Sequence, residues 1–383
     1  MCCSVSSGSA PGFSYNDYNY DNSNSNVSSH ICKKNNSTRL ANMAKKQGFN
    51  RALVAKAKMT NKTEAMKRIG NLYEKIYDIN NLYIADSLAQ RGKASQWGVI
   101  VHNRKKDQNL FELQNMLQDK TFKTSQYTVF KVFEPKERDV FRLPFFPDRI
   151  VHYAIMNVME PIFVSTFTTD SYSCIKGKGI HAALEAVKLA LKDKSSTEYC
   201  LKFDITKFYP SINHEVLKSL LRKKIKDKDL LWLLDEIIDS APGIPIGNYL
   251  SQYFANFYLT YFDHWIKEHK NVKYYFRYAD DIVILGSNKE ELHLILLECR
   301  KYFEENLKLQ IKGNYQIFPV SARGIDFVGY RCFHTHTLLR KSIKKRFARA
   351  VKAGKTKSIP SYKGWAIHAN SKNLIRKLLN ETI

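Results

Sequence analysis

Asp280 and Asp281 are adjacent acids set between two strand-forming runs, Phe276-Arg277-Tyr278 before them and Ile282-Val283-Ile284-Leu285 after them. Aromatic and β-branched residues favour extended backbone and an acidic dipeptide suits a tight turn, so the stretch reads as a β-hairpin with its carboxylates at the tip. An Asp-Asp pair alone is an ordinary turn. What sets this one apart is an earlier predicted strand, Tyr199 to Phe203, that ends on Asp204. If the hairpin pairs with that strand, three carboxylates gather at one edge of a sheet, a concentration of like charge that is costly unless cations neutralise it.

The surrounding pattern supports such a sheet. Helices are expected over His214 to Lys224, Leu230 to Ile238, Ser251 to Ile266 and Glu290 to Leu307, with a Gly/Pro turn at Ala241 to Pro245 and a last strand near Tyr315 to Pro319. The order β-α-α-α-β-turn-β-α-β predicts a split βαβ, ferredoxin-like sheet with helices on one face, and places the chain in the α+β class. Upstream, the spacing of Ala65, Ile69, Leu72, Tyr73, Ile76 and Tyr77 implies an amphipathic helix, followed by Leu82 to Arg91 and Asn109 to Leu117 in the same style. Tyr127 to Phe133 reads as a strand, and a longer helix begins at Asp148.

Lys and Arg outnumber Asp and Glu by 61 to 36, a formal charge of +25, which points to a polyanionic partner and makes nucleic acid the leading candidate. No acidic residue stands between Phe327 and Asn380, where Arg340, Lys341, Lys344, Lys345 and Arg349 crowd around the apolar Phe347, Ala350 and Val351. That section predicts a helix docked by its apolar face with its basic side outward. Cys2, Cys3, Cys32, Cys174, Cys200, Cys299 and Cys332 lack metal-binding or paired spacing, so neither structural zinc nor a disulfide framework is expected. With no apolar run long enough to span a bilayer and no basic-then-apolar leader, the expectation is a cytoplasmic protein without a membrane partner. Residues 1–45, rich in Ser and Asn, are expected to be disordered. The vocabulary of Tyr15 to Asn26 (Ser, Tyr, Asn, Asp) is linked to an AAC codon by single changes at adenine.

Three convergent aspartates suit nucleotidyl transfer, in which two Mg2+ ions stabilise the attacking and leaving oxygens and each takes one or two protein carboxylates beside phosphate oxygens. Tyr278-Ala279-Asp280-Asp281 resembles the YxDD box of reverse transcriptases, and Phe203-Asp204 to Tyr209 resembles their first palm motif. More narrowly, the chain resembles reverse transcriptases of diversity-generating retroelements, relatives of group II intron and retron enzymes. Gly243-Ile244-Pro245-Ile246-Gly247-Asn248-Tyr249-Leu250-Ser251-Gln252 matches their box, in which an apolar residue replaces the usual glutamine before the glycine and Ser-Gln follows. Asp148-Arg149-Ile150-Val151-His152, Gly177-Lys178-Gly179 and Gly324 to Tyr330 add to the likeness, which covers about residues 65 to 380.

The resemblance implies a right-hand polymerase with fingers, a palm bearing the acids, and a helical C-terminal thumb. The expected boundaries are 60–198 for N-terminal helices and fingers, 199–332 for the palm and 333–383 for a basic helical thumb. It implies Asp204, Asp280 and Asp281 as catalytic acids and, with the backbone of Ile205, as holders of two Mg2+ ions or alternatively Mn2+. Tyr209 would stand against the incoming sugar and exclude a 2′-hydroxyl. Lys136 and Arg138 would meet the triphosphate, and Ile246 and Gly247 would lie under the templating pair, where an apolar side chain loosens base selection. Arg340, Lys341, Lys344, Lys345 and Arg349 would grip nucleic acid, and Lys312 is a candidate for the pyrophosphate side. The implied partners are dNTPs, a template RNA, its cDNA and their hybrid, and a small basic accessory protein. Readings that stay open are a retron, intron maturase or antiphage reverse transcriptase, and a catalytically dead palm that only binds RNA.

Overall fold

The computed structural model describes residues 68–133 and 137–379. The segment expected to be disordered, the start of the first expected helix and Lys136 lie outside the described residues.

Four strands form the central sheet: β3 (Tyr199–Asp204), β4 (Tyr274–Tyr278), β5 (Asp281–Gly286) and β6 (Gln316–Pro319), ordered β4-β5-β3-β6 with every neighbour antiparallel. This is the split βαβ order the sequence predicts. Side-chain alternation divides its two faces. Leu201, Phe203, Tyr275, Ile282 and Ile284 pack beneath the helices Tyr249–His264 and Lys289–Leu307, in a core shared with the N-terminal helices. Cys200, Phe276, Val283, Leu285 and Phe318 point the other way, into a second core.

That second face corrects the one-sided expectation. It is covered by the helix Ile180–Ala190 and by a three-stranded antiparallel sheet, β7 (Ile325–Phe327), β8 (Tyr330–Cys332) and β9 (Thr337–Leu339). The unbroken apolar run Ile282 to Leu285 is the sequence mark of a strand buried on both sides. The sequence reading passes over Ile180–Ala190, although Leu184, Val187 and Leu191 recur at helical spacing. It also misses Trp97–Asn103, and β9 interrupts the all-helical section expected from residue 333. Strands of three residues are too short to show a period. From Lys341 onward the expectation holds: Lys341–Lys352 buries Ile343, Phe347 and Ala350, and is followed by Ile359–Ala366 and Lys372–Leu379.

Ahead of the sheet, the helices Tyr73–Tyr77, Ile79–Gln90, Trp97–Asn103 and Lys106–Gln118 lead to an antiparallel ribbon, β1 (Thr128–Val132) and β2 (Arg138–Arg142). Asp227 ties the first of these helices to the centre of the chain. It caps Lys228–Asp239 through Leu230 N–H and also accepts from the backbone of Leu72 and Tyr73, at 2.6 and 3.0 Å. No described helix is long and apolar enough to cross a membrane, and Cys200, Cys299 and Cys332 are free thiols.

A fully buried guanidinium holds the hairpin in place. Arg277 donates from Nε to Asp263 Oδ1 at 2.7 Å, from Nη2 to Ser171 Oγ at 2.9 Å, and from Nη1 to Asn256 Oδ1 and the Ala279 carbonyl, both at 3.1 Å. Asp263 also accepts from Tyr275 and Ser171, so the charge pair is saturated with hydrogen bonds. Removing one partner of such a pair strands a buried charge, whereas replacing both with apolar side chains does not. Arg277→Met is therefore expected to destabilise the fold by about 3–5 kcal/mol. In urea melts the double variant Arg277→Met/Asp263→Leu should lose clearly less than the sum of the two single losses; simple additivity would show that the charges are not coupled.

Candidate active site

The site begins with register. Asp204 lies directly opposite Asp281 across the β3–β5 pair, and Tyr278 opposite Asp281 across β4–β5, so Ala279 and Asp280 form a two-residue turn. Ala279 has φ +54°, and the Arg277 side chain holds its carbonyl. The backbone that presents Asp280 is thus fixed from inside the core. Opposed residues of an antiparallel pair stand about 5 Å apart between Cα atoms, and like charges so placed destabilise a sheet.

Two lysines offset that repulsion. Lys202, one step back along the same face of β3, brings its ammonium to 3.2 Å from Asp281 Oδ1 and 3.3 Å from Oδ2, and also bonds the Asp326 carbonyl. Lys312 donates its backbone N–H to the Asp204 carbonyl at 2.9 Å and sets its ammonium 3.3 Å from Asp204 Oδ2. Compensation is incomplete. Asp281 Oδ1 is buried, and although the Lys202 ammonium is near, it falls outside hydrogen-bonding geometry and leaves that oxygen without a partner. Burial, followed by the charge of Asp204 opposite, pushes Asp281 up to about 7 against the pull of Lys202. Burial and Asp204 likewise raise Asp280, while Lys312 and Arg138 act to lower it.

The donor chemistry fits a hard divalent cation. Ile205 pairs with Ile311 as an isolated antiparallel bridge, flanked by Thr206 N–H to Gln310 O and Lys312 N–H to Asp204 O. In that non-hydrogen-bonded arrangement the Ile205 carbonyl turns away from Ile311, towards the β5 side where Asp280 and Asp281 lie. Two carboxylates and a backbone carbonyl then share one edge, all oxygen ligands of the kind Mg2+ takes. Among the described residues no three His, Cys, Asp or Glu side chains converge tightly enough to hold an ion by themselves. Mg2+ is bound through one or two carboxylates with substrate phosphates completing the shell, so that set does not need to be closed.

Tyr209 is half-buried against Phe208, with ring centroids 5.5 Å apart, and its carbonyl receives Ile244 N–H at 2.9 Å. Phe141 of β2 donates its N–H to the Ile246 carbonyl at 2.8 Å, which brings the ribbon that carries Arg138 onto the Ile246-Gly247 step. Gly247 has φ +125°, and a side chain there would run into the Phe141 carbonyl, so glycine is required by both torsion and space. Lys341, Lys344, Lys345 and Arg349 are exposed. Arg340 is not available in the same way: its guanidinium donates to Asp326 at 2.7 Å and anchors the start of its helix. The sequence reading missed Lys202 and Arg277. Their signal is a cation at an inward position of an apolar strand, where only a buried acid makes the charge tolerable.

The sign of the Asp281 shift predicts a pH dependence. A carboxyl whose folded pKa is raised to about 7 contributes stability at pH below its unfolded value near 4 and loses it as pH rises through 7. Relative to Asp281→Asn, the metal-free protein should therefore lose on the order of 4 kcal/mol between pH 4 and pH 8. Thermal melts of both proteins across that range check it, and parallel curves would show that Asp281 ionises normally.

The family model described as reverse transcriptase (RNA-dependent DNA polymerase) matches residues 135–332, just over half of the chain, and takes in all three aspartates. Protein YkfC of Escherichia coli (strain K12) is 27% identical over 249 residues, covering 52% of this chain and 65% of that protein. The group II intron-encoded protein LtrA of Lactococcus lactis subsp. cremoris is 20% identical over 280 residues, covering 53% of this chain and 46% of that one. The chain thus spans less than two thirds of either relative. Among solved structures, telomerase from Candida albicans in complex with a fragment of telomeric RNA aligns with a TM-score of 0.44 at 10% identity, over 67% of this chain and 57% of the other. On the extent of the family match, this chain belongs to the reverse transcriptase family.

Proposed function

We propose that the chain is an RNA-directed DNA polymerase built as a right hand, and that it copies the template RNA of a diversity-generating retroelement into cDNA. One observation carries the polymerase reading: Asp204 faces Asp281 across a strand pair with Asp280 in the adjoining turn, a concentration of buried acid that two lysines only partly offset. In this reading residues 60–198 contain the fingers, 199–332 the palm and 333–383 the thumb.

Asp204, Asp280 and the Ile205 carbonyl would hold Mg2+, or Mn2+ in its place, and Asp281 would join in some states. The bound ions would supply charge stabilisation for the attacking 3′-hydroxyl and the departing pyrophosphate. The chain's own side chains do the rest. Lys312, already beside Asp204, would turn from the acid to an arriving phosphate, and Arg138 acts from the ribbon on Asp280. Tyr209 would stand against the incoming sugar and favour deoxyribose by excluding a 2′-hydroxyl. The exposed cations Lys341, Lys344, Lys345 and Arg349 would track the phosphates of the RNA/DNA hybrid.

The retroelement assignment draws on Ile246. Its half-buried apolar side chain, held by the backbone contact to Phe141, has no hydrogen-bonding group to offer a templating base. Such a site discriminates between base pairs by shape alone, which supports copying with errors, and a small basic accessory protein would deliver the template. A second reading, a reverse transcriptase of an intron, draws on the relatives named as an intron maturase and as a group II intron-encoded protein.

Asp280→Asn should reduce primer extension with Mg2+ by on the order of a thousandfold, about 4 kcal/mol, without lowering the melting temperature, since it relieves repulsion in the ion-free protein. Extension equal to wild type would remove the polymerase reading. Sequencing cDNA made by the wild-type enzyme from its adjacent template RNA should show substitutions concentrated at adenines. Accurate copying at adenines would leave the intron reading in place of the retroelement.

A further inference from the structure

Lys202 and Lys312 each set their ammonium against a carboxylate. Lys178, half-buried just ahead of the helix Ile180–Ala190, instead gives its ammonium to the backbone. Its Nζ donates to the carbonyls of Thr168 at 3.3 Å, Thr169 at 2.9 Å and Ser171 at 3.2 Å, and lies 5.6 Å from the centroid of the Tyr172 ring. An ammonium has three donors, so the three carbonyls use all of them, and the ring face adds a cation–π contact. Asp170, the acid within that segment, pairs with Lys267 at 3.2 Å.

Three carbonyl dipoles turned towards one point repel one another, and a cation between them removes the repulsion. Residues 168–172 form no strand of their own and meet the sheet through a single parallel bridge, Ser171 to Arg277. Their shape therefore depends on what gathers those carbonyls. Lys178 is brought to them by a turn in which its N–H bonds the Ile175 carbonyl at 3.0 Å and Gly177 adopts φ +77°, a torsion that glycine takes without strain.

The gathered segment serves Arg277. Arg277 lies opposite Ile282 in the β4–β5 pair, and its own N–H and C=O turn to the outer edge of the sheet, where the Asp170 carbonyl accepts at 3.0 Å and Tyr172 N–H donates at 3.1 Å. Between them, Ser171 Oγ accepts from Arg277 Nη2 and donates to Asp263, both at 2.9 Å. Arg277 Nη1 in turn holds the Ala279 carbonyl at 3.1 Å, one residue before Asp280. An unbroken run of contacts thus leads from the Lys178 ammonium to the turn that carries the acid. We propose that Lys178 is a positioning residue for Asp280, which fixes the segment on which Arg277 rests and, through Arg277, the backbone that presents the carboxylate. The inference rests on the polymerase reading for what Asp280 does, though not for the contacts that lead to it.

Hydrogen exchange of the metal-free full chain tests the contacts, and extension of a DNA primer on an RNA template tests their consequence. Lys178→Met keeps an unbranched stem and removes the donors. Its Arg277 and Tyr172 amides should exchange on the order of tenfold faster than in wild type, while those of the β3–β5 ladder keep their rates. With Mg2+, kcat should fall on the order of tenfold, with KM for dNTP and Kd for the primer–template unchanged. With Mn2+ the loss should be smaller, because Mg2+ demands near-ideal octahedral geometry and the larger Mn2+ tolerates a displaced ligand. Lys178→Arg separates the carbonyl contacts from charge alone: a planar guanidinium cannot point three donors at one set of converging carbonyls, so this variant should behave as Lys178→Met does. An arginine variant equal to wild type, or a weakened Kd with kcat intact, would place the ammonium on a phosphate and overturn the proposal. Wild-type exchange at Arg277 and Tyr172 in both variants would overturn it too, as would protection lost evenly over the whole sheet. A wild-type chain that extends no primer, beside variants whose exchange changes as expected, would retire the polymerase reading and leave the positioning of Asp280 standing.

Discussion

The Arg277–Asp263 pair is the interaction on which the geometry of this protein depends. A guanidinium with no solvent exposure is tolerable when every donor is used, and here Asp263, Asn256, Ser171 and the Ala279 carbonyl use them. The last of these bonds has the functional consequence. Arg277 reaches past Tyr278 to hold the backbone one residue before Asp280, so the position of the acid is set from the core and not by the loop. The same residue joins its backbone to the Asp170–Tyr172 segment, through Arg277 N–H to Asp170 O and Tyr172 N–H to Arg277 O. The hairpin is therefore braced on its outer edge as well as beneath.

Bracing is needed because the edge it carries is electrostatically unfavourable. Asp204 and Asp281 are aligned by register and cannot move apart without breaking the β3–β5 ladder. Two adjustments ease the strain in the ion-free state: Lys202 and Lys312 bring in positive charge, and Asp281 keeps its proton to near neutral pH. Both are reversible. A lysine tethered by a flexible stem can yield to a divalent cation, and a carboxyl with a raised pKa gives up its proton more readily once that cation arrives. The instability of the resting site is thus the counterpart of its capacity to bind metal.

What could be read from the sequence follows the length of the signal. The Asp-Asp hairpin, the strand ending on Asp204 and the long central helices each carry several residues of consistent pattern, and the sheet order follows once the strands are paired antiparallel. The three-residue strands β7 to β9 carry too little pattern to be seen. The covering of the second sheet face is a tertiary fact to which only the unbroken run Ile282 to Leu285 points. Within the site, acids were legible because their type and position are unusual, whereas their pairing was not: Lys202 looks like any other lysine in a chain with 61 basic residues, and Lys312 stood out only through the family resemblance and not as the partner of Asp204. Arg340 shows the converse, a cation in a basic run whose neighbours are exposed but which the fold uses for itself.

The chain's excess positive charge accordingly divides into two populations with different work. Arg277, Lys202, Lys312 and Arg340 are turned inward and shape the edge that holds the acids. Lys341, Lys344, Lys345 and Arg349 are exposed and have no acid against them among the described residues. A uniform basic surface would bind nucleic acid in any orientation. Charges left unpaired on one helix of a protein whose acid-bearing edge is compensated instead draw a polyanion to that helix first, and the edge itself becomes attractive only when metal is bound.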